Sequence, residues 1–180
     1  MGFHVKPLEC RRLTSEYKGP MMEFLHALEE SGDAKLFHPH PFDEEAIDKV
    51  AQCEGKDLYY ILVEGNSVIG YAMLRGWDEG YEIPSLGIAI HPTARKVGLG
   101  QLLMSFLHVA ARRQGATKVR LRVYAHNTKA IQLYKKLGYE FQPATEDGYL
   151  VGYYALSDTF FISAPFPTGN ARTSKQEKVE

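Results

Sequence analysis

Apolar and polar positions change period several times along this chain, and the changes mark its elements. Phe3 to Leu8 alternates weakly and predicts a first strand. Thr14 to Glu30 follows the helical period, with Met21, Met22, Leu25 and Leu28 on one stripe; Gly19-Pro20 sets the helix start near Pro20, because proline suits a first turn. Asp43 caps a short helix over Glu44–Cys53 whose first turn is acidic, as the helix dipole prefers. Asp57–Glu64 and Ser67–Leu74 are two β-rich runs joined by Gly65-Asn66, a hairpin signal. Tyr81–Ile90 predicts the next strand, with Pro84 at a bulge or bend, and Gly98–Gln114 a helix closed by Gly115. Lys118–Tyr124 alternates throughout, placing Val119, Leu121 and Val123 on one face and Lys118, Arg120, Arg122 and Tyr124 on the other. A helix runs from Asn127 to Gly138, and Tyr139–Ala144 with Tyr149–Leu156 forms a last strand pair around Asp147-Gly148.

The chemistry concentrates where one strand gives way to a helix. Leu86, Ile88, Ala89 and Ile90 read as a buried strand that His91-Pro92 stops. Arg95, Lys96, Gly98 and Gly100 follow, spaced R-x-x-G-x-G, and Leu99, Leu102, Leu103, Phe106 and Leu107 then recur at helical spacing. Strand, basic glycine loop and helix N-terminus make an anion site, since glycine lets backbone N–H groups turn toward a ligand and the helix dipole adds positive potential. The order of residues is neither the dinucleotide fingerprint nor a Walker loop.

About thirty residues on stands N-x-x-A-x-x-L-Y-x-x-L-G-Y, from Asn127 through Ala130, Leu133, Tyr134, Leu137 and Gly138 to Tyr139. With both blocks together, residues 84–142 resemble the GNAT superfamily of acetyl-CoA-dependent N-acetyltransferases, and the flanking pattern extends the likeness to about 3–157. The resemblance implies an α/β (α+β) fold with a mixed central sheet of about seven strands, flanked by about four helices. Its element order would be strand–helix–helix–strand–strand–strand–helix–strand–helix–strand–strand. The strand ending at His91 and the one starting at Lys118 would run parallel and splay to admit the cofactor.

The same resemblance implies the donor half of a site. Backbone groups of Ile88 and Ile90 would pair with the pantetheine arm, Arg95 would add charge at the rim, and the loop Lys96, Val97, Gly98, Leu99, Gly100 and Gln101 would hold the pyrophosphate. Asn127 would hydrogen-bond near the pantetheine or serve only as an N-cap. Tyr134 would protonate the departing thiolate or be a packed aromatic. An amine attacks a thioester only when neutral, so a base is also required; Glu82 lies nearest the family's position, displaced, with His91 and His126 as alternatives by type. His38, His40 and Phe42, in a segment crowded with rings and prolines, would shape the acceptor mouth; His38 and His40 sit at a metal-like i, i+2 spacing without further ligands. Arg120 and Arg122 either pair with surface carboxylates or, Arg122 foremost, anchor an anionic amino-sugar acceptor.

Composition then narrows the class. A chain of 180 residues suits one domain, expected over 1–160, with 161–180 a polar disordered tail. The formal net charge of -1 disfavours non-specific nucleic-acid binding. Two cysteines in no metal spacing and no apolar leader suggest a reduced, cytoplasmic protein, and no run suggests a membrane span. The expectation is therefore an N-acetyltransferase that uses acetyl-CoA, without a metal, on a small-molecule amine by direct attack, as a monomer or homodimer. The alternatives are a peptide or protein acetyltransferase and a non-catalytic acyl-CoA-binding module.

Overall fold

A computed structural model describes residues 6–156. The expected tail, 161–180, lies outside them. Seven strands form one sheet in the order β1-β2-β3-β4-β5-β7-β6, where β1 is Leu8–Arg12, β2 Leu58–Glu64, β3 Ser67–Arg75, β4 Ser85–Ile90, β5 Lys118–Tyr124, β6 Glu140–Phe141 and β7 Tyr149–Ala155. Helices α1 (Lys18–Glu30) and α2 (Glu44–Ala51) precede β2, α3 (Leu99–Arg113) links β4 to β5, and α4 (Thr128–Lys136) follows β5. Among the described residues no helix is long and apolar enough to cross a membrane.

The strand period divides the core between the two sheet faces. Leu62, Ala72, Leu74, Leu86, Val119, Leu121 and Val123 are buried under α3 and α4, which contribute Leu103, Met104, Leu107 and Ile131. Ile61, Val63, Tyr71, Met73 and Ala89 point the other way, onto Met21, Phe24, Leu25 and Leu28 of α1 and Ile47 of α2. Each such side chain, removed from water, contributes roughly 1.5–3 kcal/mol before entropy is charged against it. Phe24 belongs to the α1 stripe beside Met21, Leu25 and Leu28, whereas Met22 is only half-buried. The Asp43 cap of α2 is present, its carboxylate accepting from the Ala46 N–H at 2.8 Å.

Three strand expectations need correction. The first strand is Leu8–Arg12, not Phe3–Leu8, whose first three residues lie outside the described part. It is an edge strand held by backbone pairing to β2; Leu8 is 46% exposed, so side-chain alternation carries no signal there. The fourth strand begins at Ser85, because Pro84 cannot donate to the ladder and Gly76–Ile83 folds instead as a loop in which Tyr81 donates its N–H to Gly76. The sixth is likewise shorter than Tyr139–Ala144.

Pairing between β4 and β5 positions the site. These strands are parallel, joined by the α3 crossover, and their ladder registers at a single pair, Ser85 with Arg120. Beyond that point they part.

Candidate active site

Backbone direction along β4 follows from two hydrogen bonds. His91 donates its N–H to Ile69 of the β3 side (2.9 Å), and Arg120 of β5 donates to the Pro84 carbonyl (3.0 Å). Alternate residues of a strand present their backbone groups to opposite edges. Ser85, Gly87, Ala89 and His91 therefore face β3, while Ile88 and Ile90 face the opening toward β5, where the ladder gives them no strand partner. An extended chain laid in that gap finds a free sheet edge.

The glycine loop closes one end of the gap. Lys96 has φ 67° and Gly98 φ 92°, left-handed values that turn successive N–H groups to one side. Gly98 occupies the N-cap of α3 without a side-chain cap, and the first turn holds no acid. Leu102 donates to Gly98, which leaves the N–H groups of Leu99, Gly100 and Gln101 without helical acceptors. The potential here is positive and open, since Lys96, Val97, Gly98 and Gln101 are all exposed. Gly100 has a packing reason: a Cβ there would meet Leu133 at 3.3 Å and Ile88 at 3.9 Å. That contact brings the α3 start, the β4 edge and α4 together.

Tyr134 follows Leu133 on α4. It is buried, its ring centroid 5.7 Å from that of Tyr139, and burial pushes its hydroxyl pKa up to about 12. The hydroxyl thus keeps its proton at neutral pH. Asn127 caps α4 through Oδ1, which accepts from the Ala130 N–H at 3.3 Å; its amide NH₂ remains available to donate.

Arg95 is not the mobile rim charge expected of it. Its Nε and Nη2 both donate to the Ile90 carbonyl (3.0 and 2.9 Å), and Nη2 also donates to Asp33 (2.8 Å). Asp33 in turn accepts from Ser31, and these hydrogen bonds outweigh burial in lowering its carboxyl pKa. The guanidinium ties the end of β4 to the turn at Asp33–Lys35, on the α1 side.

On the sheet face opposite α3 and α4, an open cavity of about 400 Å³ lies over β3, β4, β5 and β7. Its floor includes Met73, Arg75, Ser85, Gly87, Arg120 and Arg122; Tyr124 and Tyr149 stand at one side, Glu79 and Tyr81 at the other, and Leu36–Pro39 forms a wall. Of the expected acceptor residues, His38 and Arg122 line this cavity. His40 and Phe42 do not. His40 turns inward: Nδ1–H donates to Pro41 (2.7 Å), so Nε2 accepts from the Tyr71 hydroxyl (3.0 Å), and burial lowers the ring pKa. Phe42 packs with the core beneath α1 and α2. Glu82 is exposed and outside the lining; the carboxylate that reaches the cavity is Glu79. His91 caps the turn after β4 through Nδ1, and His126 is exposed near Tyr124 (5.3 Å between rings). Among the described residues no group of three or more His, Cys, Asp or Glu converges as a metal site.

Comparison with known proteins agrees with this geometry. The model of the Acetyltransferase (GNAT) family matches residues 22–139. The chain is 29% identical over 121 residues to the N-terminal acetyltransferase B complex catalytic subunit naa20 of Schizosaccharomyces pombe, an alignment covering 63% of this chain and 64% of that protein. It spans 32%, 64% and 59% of the length of three curated relatives it matches. Among solved structures it resembles the PaiA N-acetyltransferase of Thermoplasma acidophilum in complex with coenzyme A (TM-score 0.70, 16% identity, 83% of this chain and 99% of that one). It likewise resembles YncA of Salmonella typhimurium with acetyl-CoA (TM-score 0.67, 20% identity, 89% and 98%). At these identities the structural likeness is one of fold.

Proposed function

The chain belongs to the GNAT family of acetyltransferases, and from that premise we propose that it transfers the acetyl group of acetyl-CoA to a primary amine of a small molecule, with an amino sugar as the acceptor class. The observation that carries this reading is a convergence: the uncapped α3 N-terminus, the free edge of β4 and the helix bearing Tyr134 meet at the β4–β5 opening. The loop amides of residues 96–101 suit a pyrophosphate, and the Ile88 and Ile90 edge suits an amide-bearing arm laid as an extra strand. At Ile90 that arm meets a carbonyl already held by Arg95.

The chemistry needs few groups. A neutral amine in the cavity attacks the thioester carbonyl, the tetrahedral oxyanion collapses, and the thiolate leaves. Tyr134, protonated at neutral pH, gives its proton to that thiolate and is reprotonated by the proton that the acylated nitrogen sheds as the amide forms. The ammonium proton leaves beforehand through the open cleft, where Glu79 is the carboxylate at hand. Neither cysteine lines the cavity, which favours direct attack over an acyl-enzyme. A small acceptor is supported by the Leu36–Pro39 wall, which Arg75 pins by donating to the Pro39 carbonyl. The second reading, acetylation of a protein N-terminus, draws support from the likeness to the Schizosaccharomyces pombe subunit.

The test is a panel of amines supplied with acetyl-CoA, scored by release of CoA thiol and by mass spectrometry of the products. Amino sugars are expected to be acetylated above background hydrolysis. Exclusive transfer to peptide N-termini would replace the small-molecule reading, and no amine-dependent release at all would overturn transfer.

A further inference from the structure

The register of the sheet sets three arginines around one hydroxyl. Arg75 of β3 pairs with Ser85 of β4, and Ser85 pairs with Arg120 of β5, so the three residues form a row across adjacent strands on one face. Arg122 lies two residues on from Arg120 and shares its face. With strands about 4.8 Å apart and residues about 3.3 Å apart along each, the Cα atoms of Arg75 and Arg120 are about 10 Å apart and those of Arg120 and Arg122 about 7 Å. All three side chains line the same cavity.

This group is only partly neutralised among the described residues. Among the described residues neither Arg75 nor Arg120 has a carboxylate within 4.0 Å, and Arg122 meets only Asp147, at 3.6 Å and on the exposed side. The guanidiniums are instead positioned by neutral partners. Arg75 donates to the Pro39 carbonyl, Arg120 lies over the Tyr81 ring (5.3 Å), and Arg122 stacks on the Tyr149 ring (3.7 Å). Arg75 and Arg120 stand on the strands either side of β4, about 10 Å apart at that spacing, so an anionic group lying over Ser85 can meet both. Set against Glu79 and Asp147, the partner of Arg122, three arginines leave a local charge of one positive unit. Three planar forks call for more than the two oxygens of a carboxylate; a phosphate or diphosphate supplies three or more, in the geometry guanidiniums pair with.

We propose that the acceptor bound in this cavity is an amino sugar carrying a phosphate or diphosphate group, held by Arg75, Arg120 and Arg122 around Ser85. The proposal rests on the acetyl-transfer reading and names the acceptor within it. The sugar phosphate and the nucleotide-linked sugar share the recognised chemistry; Tyr81, Tyr124 and Tyr149 offer the second a ring to stack against its base.

The experiment compares kcat/KM for four acceptors: glucosamine, glucosamine 6-phosphate, a uridine-diphosphate-linked amino hexose, and spermidine. The wild-type protein should prefer one or both phosphorylated amines to glucosamine by about 10²-fold, the two phosphorylated arms distinguishing the sources. Arg120→Ala should raise KM for the preferred acceptor and reduce that preference by 10-fold or more, with Arg120→Lys recovering part of it. Should Arg120→Ala fail to fold, the wild-type preference decides alone. A preference near one, or spermidine or an acidic peptide as the best acceptor, would overturn the phosphate assignment while leaving acetyl transfer standing. Failure of every amine to be acetylated would overturn the transfer reading and this proposal with it.

Discussion

Replacing Asp57 by alanine should destabilise the protein and loosen the acceptor side of the cavity together. Asp57 is 5% exposed, and its Oδ1 accepts from the N–H groups of Gly76 (2.9 Å), Trp77 (2.9 Å) and Asp78 (3.3 Å). Asp78 reciprocates, accepting from the N–H groups of Lys56 (2.7 Å) and Asp57 (3.2 Å). The two carboxylates clasp the segment before β2 to the loop after β3. Alanine removes a charged acceptor shared by three backbone donors, of which the Gly76 N–H is buried. Each orphaned buried donor costs about 1–3 kcal/mol; with the outer two partly reached by water, the total is about 2–4 kcal/mol. At about 2–4 °C per kcal/mol for a chain of this size, Tm should fall by about 5–15 °C. Asp57→Asn keeps an oxygen acceptor and should lose about half as much. The same loop delivers Glu79 and Tyr81 to the cavity, so the acceptor KM should rise more than that for acetyl-CoA. Thermal unfolding and steady-state kinetics on the two variants read both effects. An Asp57→Ala protein melting within 2 °C of wild type would refute the clasp.

Acid should weaken the fold through His108. Its Nε2 meets the Tyr139 hydroxyl at 2.8 Å, its ring stacks on Tyr154 at 4.3 Å, and burial, with Arg112 nearby, lowers its pKa to about 4. A depressed histidine pKa favours the neutral ring in the folded state. Its contribution is therefore full above pH 6.5 and declines between about 6.5 and 4 as the unfolded chain takes up the proton first; after solvent screening the loss is about 1–2 kcal/mol. His108→Phe should flatten the Tm profile over that window, and an unchanged slope would exclude the assignment. Gly98→Val puts a β-branched side chain at φ 92° with no neighbour in its way, so acetyl-CoA should lose its thermal stabilisation while the protein stays folded. Gly100→Val, which presses on Leu133 at 3.3 Å, should in addition lower Tm by overpacking; equal melting of the two variants would contradict that distinction.

Local periodicity made most of the fold readable. The β5 alternation, the Gly65-Asn66 hairpin and the capped helices α2 and α4 each announce themselves within a few residues, and the two glycine-bearing blocks carried the family. What stayed hidden depends on partners far along the chain. The β1 strand is polar and pairs only by backbone, so no side-chain pattern could reveal it. Arg95 was legible as a loop arginine, but its fate is set by Asp33, 62 residues away. Nothing in the sequence sets Arg75 apart on β3; only the register through Ser85 brings it level with Arg120 across β4. His40 and His38 look alike in sequence, and a buried tyrosine hydroxyl decides which of them faces inward. Glu79 sits in a loop whose path Asp57 and Asp78 determine, which spacing from the glycine motif cannot supply.

The central claim is that a buried, protonated Tyr134 completes acetyl transfer at the β4–β5 opening. It is tested most directly by the kcat of amine-dependent CoA release for wild type and Tyr134→Phe, with the dissociation constant of acetyl-CoA measured on the same samples by calorimetry. Phenylalanine keeps the buried ring and removes only the hydroxyl, so the change should leave binding and Tm nearly unchanged. Turnover should fall by about 10²-fold, the lower end for removal of a general acid. Wild-type turnover in the phenylalanine variant, or a loss of turnover matched by an equal loss of acetyl-CoA affinity, would contradict the claim.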